Sequence, residues 1–211
     1  MNSIKSINIS TVSKILFLTA IVTVILHFTM HPVRVLDMQT SIFYMDEEFT
    51  IAALLTSAFA FYAGILALDY YLLRRKVVNL IWSGIFFALA LDEYFSIHEY
   101  LNGLFKRYLD ETSILSNLAS VSWIFTLGVI FLAIAVFILY WTVKEQNKAA
   151  RLMLFLGMAS YVTVLIIELI GGQTYGRDIY LVFVGIEEGL EMVGTIFFIE
   201  AFRQKLKLNE T

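Results

Sequence analysis

Six apolar runs, at about residues 13–30, 49–72, 78–101, 118–141, 151–171 and 179–201, constrain this chain more than any other feature. Each is close to the ~20 residues that an α-helix needs to cross a hydrocarbon core about 30 Å thick. No water serves the backbone there, so each run must satisfy its own N–H and C=O groups, which a helix does within one segment. The sequence therefore predicts an all-α, polytopic integral membrane protein, a single six-transmembrane-helix bundle over residues 1–211. A hydrophobic share of 59% against 16% charged agrees with this. One proline, Pro32, and no low-complexity tract leave no linker to divide the bundle. Cysteine is absent, which removes disulfides, thiolate ligands and cysteine nucleophiles.

Charge sets the orientation. Lys5, Lys14, Arg74, Arg75, Lys76, Lys144, Lys148, Arg151, Arg203, Lys205 and Lys207 fall on one side of the six runs, and only Arg34, Lys106, Arg107 and Arg177 on the other. The positive-inside rule then places both termini in the cytoplasm of a multi-pass protein of the cell (plasma or inner) membrane. Residues 1–12 are weakly basic and no small-residue cleavage site follows the first run, so that run is expected to be a retained span. The net charge of −3 gives no reason to expect nucleic acid as a partner. Asp46, Glu47 and Glu48 are expected to cap the second helix, and Glu200 to pair locally with Arg203.

Against that apolar background, the sixth run carries Glu187, Glu188 and Glu191, which begin eight residues past Ile179. At about 1.5 Å per residue they lie roughly 12 to 18 Å deep, where a charged carboxylate costs on the order of 3 kcal/mol. Asp92, Glu93, His98 and Glu99 share the outer half of the third run, Glu168 that of the fifth, and His27 and His31 that of the first. No Lys or Arg lies at that depth. At 100° per residue Asp92, Ser96 and Glu99 share a face, as do Glu187 and Glu191, and His27 and His31 are one turn apart. The economical arrangement is one outward-facing chamber lined by the first, third, fifth and sixth spans.

Such a cluster needs either shared protons or a cation. Imidazole with carboxylate favours a divalent metal ion, zinc first, then iron or manganese. His27, His31, Asp92, His98, Glu99, Glu188 and Glu191 are the candidate ligands, and Glu187 or Glu93 the candidate general base. Three intramembrane histidines with an acid and a serine resemble the multi-pass zinc hydrolases typified by alkaline ceramidases and the progestin and adipoQ receptors, which implies hydrolysis of a lipid. The resemblance covers only a few residues: that group has seven spans and an HxxxH near the carboxyl end, whereas His27 and His31 lie in the first of six. The Glu-x-x-His pairs of di-iron bundles are missing.

Three functions compete. A metal-dependent membrane enzyme would take a lipid or other membrane-soluble small molecule from the bilayer. A transporter of protons or divalent cations would use the same acids, with Asp92-Glu93 and Glu187-Glu188 as corresponding points of a faint inverted repeat. A non-catalytic subunit or sensor would dock a partner, in a homo- or hetero-oligomer, in the slim groove left by Gly185, Gly189 and Gly194.

Overall fold

A computed structural model describes residues 9–30, 45, 50–97, 100–101, 129–144, 148–171 and 178–207. Among these the chain is all-helical, with six helices: α1 Thr11–Met30, α2 Ile51–Arg74, α3 Val77–Phe95, α4 Val129–Val143, α5 Lys148–Gly171 and α6 Asp178–Lys207. Four helices, α1, α2, α3 and α5, are long and apolar enough to cross a membrane. They carry large apolar residues on their outer faces, such as Ile15, Leu18 and Ile25 of α1, which are more than half exposed. Faces of this kind suit lipid rather than water. Residues 118–128 of the expected fourth span lie outside the described residues.

Local chemistry starts and stops these helices. Thr50, extended at φ −82°, accepts from Ala53 N–H and caps α2. Asp46, Glu47 and Glu48, expected in that role, lie outside the described residues. Arg75 turns left-handed at φ 56° to close α2, and α3 begins two residues later, at Val77. At the other end of α3 the expected continuous helix to residue 101 is broken. Ser96 adopts φ 47°, ψ 44°, and its N–H returns to Asp92 O. Winding resumes beyond it, with Tyr100 N–H donating to Ser96 O at 3.1 Å. A left-handed serine costs on the order of 1 kcal/mol.

α6 is the centre of the bundle, packing on α5, α2 and α1, while α2 and α3 form a tight hairpin and α4 lies against α3 and α5. Trp82 and Phe86 of α3 meet Phe198 of α6 at ring separations of 5.2 and 5.1 Å, and all three are almost wholly buried. The glycines of α6 make its close approaches. A Cβ on Gly185 would meet the Phe28 and His27 rings, and one on Gly194 would meet Ser160 and Tyr161. The groove expected to receive an outside partner is thus filled by the chain's own α1 and α5, because close backbone approach is what small residues permit. Opposite, a Cβ on Gly157 would lie 3.0 Å from Gly194 O and 2.8 Å from the Phe198 ring. Gly157→Val is expected to cost at least ~1–3 kcal/mol through overpacking, read as a lower unfolding temperature in detergent.

At the end of α6 the expected Glu200–Arg203 pair does not form. Arg203 Nη1 donates to Tyr62 Oη at 2.9 Å. Glu200, 1% exposed, instead accepts from Ser10 Oγ at 2.6 Å, Ser13 Oγ at 2.5 Å, Gln204 Nε2 at 3.1 Å and Ser10 N–H at 3.3 Å. Ser10 also caps α1, accepting from Ser13 N–H at 3.2 Å. The start of α1 is thereby tied to α6 by a buried carboxylate.

Candidate carboxylate chamber

The acid-bearing halves of α3, α5 and α6 enclose one end of a cavity of about 510 Å³, whose walls α2 and α4 complete. Six acids line it: Asp92 and Glu93 from α3, Glu168 from α5, and Glu187, Glu188 and Glu191 from α6. No Lys, Arg or His is among its described lining residues. The remainder of the wall is almost entirely apolar, as the alternation of acids with Ile, Leu, Val and Phe in these helices requires.

Within the acidic end, Glu93, Glu188 and Glu191 come closest, each offering a carboxylate oxygen within 4.8 Å of the others. All three are half-buried. Two unit negative charges at 4.8 Å repel by about 3.5 kcal/mol at an effective dielectric of about 20. Three such pairs approach ~10 kcal/mol, comparable with the whole stability of a domain. The break at Ser96 adds to this, because the last turn of α3 ends beside Asp92 and Glu93 and directs its carbonyls, the negative end of the helix dipole, outward there. Shared protons or a bound cation would relieve this repulsion. Three oxygen donors in this spacing are a suitable set for a divalent ion.

Periodicity placed the acids of α6 correctly on one side of that helix, but it does not say how α3 is rotated toward α6. In the structure Glu93 joins Glu188 and Glu191, while Asp92 and Glu187 line the cavity outside that group. Glu93, expected as a general base, thus lies within the trio, while Asp92, expected as a ligand, and Glu187, expected as a base, line the cavity outside it. Glu168 lines the same chamber.

His27 does not join them. Its ring, 1% exposed, packs on α6 at Gly185. Nε2 lies 3.1 Å from Leu181 O, and Nδ1 accepts from Met45 N–H at 3.3 Å. A carbonyl only accepts and an N–H only donates, so the network fixes the neutral Nε2–H tautomer. With both nitrogens engaged by backbone, His27 is a strut between α1 and α6 rather than a ligand. Gly185 lies about 60° from Glu188 and about 120° from Glu191 around α6, so the α1 seam runs beside the chamber side of that helix. His31, His98 and Glu99 lie outside the described residues.

Tyr161 is the lining residue that sequence reasoning passed over. Its hydroxyl is 2.7 Å from Thr195 Oγ1, which donates to Glu191 O at 2.9 Å. The threonine proton being spent on that carbonyl, the tyrosine is the donor of the pair. This chain of hydroxyls pins α5 to the turn of α6 that carries Glu191. The available signal was a tyrosine hydroxyl in the middle of an apolar run, where an unsatisfied polar group is costly.

A family model described as Domain of unknown function (DUF8692) matches residues 15–205. No curated protein and no solved structure matches the chain.

Proposed function

This chain belongs to the DUF8692 family, and from that premise and the geometry of the chamber we propose that it is an integral-membrane, divalent-cation-dependent enzyme acting on a lipid or other membrane-soluble substrate. The observation that carries the reading is the meeting of Glu93, Glu188 and Glu191 within 4.8 Å at one end of a 510 Å³ cavity that is otherwise apolar. That volume is in the range of small-molecule sites, about 300–1,000 Å³. A bilayer-soluble substrate presents an apolar body to the walls and a polar group to the acids.

In this reading Glu93, Glu188 and Glu191 hold the ion. Zinc was favoured by the histidines, but the described donors are all oxygen, which moves the preference toward manganese, iron or magnesium. The ion would polarise a carbonyl or phosphoryl oxygen and ease deprotonation of water. Glu187 or Asp92, both facing the cavity outside the trio, is placed to take the proton as general base. Tyr161 and Thr195 keep the Glu191 turn in register with α5. The positive-inside asymmetry supports six crossings with both termini in the cytoplasm and the acidic end of the chamber toward the outer surface of the cell membrane.

Manganese binding by purified protein tests the ion site. About one ion per chain is expected, with affinity falling at least ~100-fold in Glu188→Gln, Glu191→Gln, equivalent to ~2.7 kcal/mol. Metal-free wild type at saturating manganese sinks the reading. One observation favours transport instead: α3 is interrupted at Ser96 beside the acids, as ion-binding helices of transporters are. Manganese uptake into liposomes distinguishes the two, being expected only of a transporter.

A further inference from the structure

The polarity of the chamber is strongly one-ended. Along α3 its lining begins at Trp82 and Phe86 and reaches Asp92 and Glu93 only a few turns later. Along α6 it runs the opposite way, from Glu187, Glu188 and Glu191 to Phe198. The acids therefore stand together toward one end, with Ile97 and Leu101 beyond them on the α3 side, and the aromatic rings at the other. The rings close that end. Trp82 stacks on Phe86 at 5.6 Å with 21° between planes, and its Nε1 donates to Thr142 Oγ1 at 3.3 Å. Phe198 completes the floor from α6, 2% exposed.

The length between the ends follows from helix rise. Glu191 and Phe198 are seven residues apart, and Glu93 and Trp82 eleven, which at about 1.5 Å per residue gives roughly 10 and 16 Å. An apolar chamber of this kind stays dry and is filled by hydrocarbon when hydrocarbon is present. With C–C bonds of about 1.52 Å meeting at about 111°, an extended chain advances ~1.25 Å per carbon. The space below the acids accordingly matches a single chain of about 8 to 13 carbons.

We propose that the chamber binds a single-chain amphiphile, its oxygen-bearing headgroup at Glu93, Glu188 and Glu191 and its hydrocarbon tail extended to a floor made by Trp82, Phe86 and Phe198. The proposal rests on the metal-site reading for the headgroup contact, whereas the tail lobe rests on the apolar walls alone. The aromatic floor acts as a length stop. Ala60 of α2 and Ala88 of α3 line the tail lobe, and both are small, so space there depends on their having no longer side chain.

The test uses the full chain in amphipol, without detergent, and aqueous n-alkyl phosphates of increasing length with manganese present. Affinity is expected to rise roughly fourfold per methylene and to level off near 8 to 13 carbons. Ala60→Leu should shift the plateau to shorter chains. Ala88→Leu, at an exposed position that tolerates bulk, should do the same if Ala60→Leu fails to fold. An affinity independent of chain length, or a plateau that neither variant moves, overturns the proposal. If the slope and plateau persist without manganese and n-alkylamines bind equally, the tail lobe stands and the metal reading falls. If manganese binds at one per chain, is lost in Glu188→Gln, and no chain-length dependence is found, the metal reading stands and this proposal falls.

Discussion

In chelator at mildly alkaline pH, Glu188→Gln, Glu191→Gln is expected to unfold at a higher temperature than wild type, although it removes the proposed ion site. The double change leaves Glu93 as the only charge of the trio and so abolishes every repulsion within it. Each pair at 4.8 Å contributes about 3.5 kcal/mol, so a gain of ~3 kcal/mol or more is expected even if protons offset part of the repulsion. Manganese should narrow or close that gap. Wild type at one hundred times the dissociation constant gains about 2.7 kcal/mol, or roughly 5–10 °C for a chain of this size, while the variant gains nothing. Thermal unfolding in mild detergent, with and without manganese, reads both arms. Equal melting in chelator together with no manganese shift in wild type would mean that shared protons balance the cluster and that it holds no ion.

A second large effect is expected at Glu200, remote from the chamber. Its carboxylate takes hydrogen bonds from Ser10, Ser13 and Gln204 while almost wholly buried. Glu200→Ala strands the two hydroxyls that begin α1 and is expected to cost about 3–5 kcal/mol. Glu200→Gln keeps one acceptor oxygen but loses the charge, and about 1–2 kcal/mol is expected. Arg203→Gln supplies the contrast. If Glu200 acted through a pair with its neighbour, the two glutamine variants would be equally damaging. Because Arg203 bonds Tyr62 instead, its loss should cost no more than about 1 kcal/mol. Equal losses in a denaturation series would refute the α1 anchor.

These two sites differ in how far the sequence exposed them. Glu187, Glu188 and Glu191 stood out because carboxylates in an apolar run have one economical location, the inside of the bundle. Glu200 looked ordinary because Arg203 lies one turn away, and i, i+3 pairs are common on helix surfaces. Besides Gln204 one turn on, its partners Ser13 and Ser10 are 187 and 190 positions distant, and nothing local points to them. His27 misled in the opposite direction. A histidine one turn from another resembles a ligand pair, yet its ring is held by Met45 N–H and Leu181 O, both backbone groups that no side-chain pattern announces.

The sequence by itself determined the helical class, the apolar helices long enough to cross a membrane, and the gathering of acids from the third, fifth and sixth runs. Those follow from burial energies, which depend on residue type and on a period of 3.6. Only the tertiary structure decided that Glu93 rather than Asp92 joins Glu188 and Glu191, that α3 breaks at Ser96, and that the α1 histidine is held by Leu181 O and Met45 N–H. Each of these depends on the rotation of one helix against another. That rotation is set by interlocking shapes such as Gly157 on Gly194, and shape complementarity between distant segments leaves no periodic trace in either one.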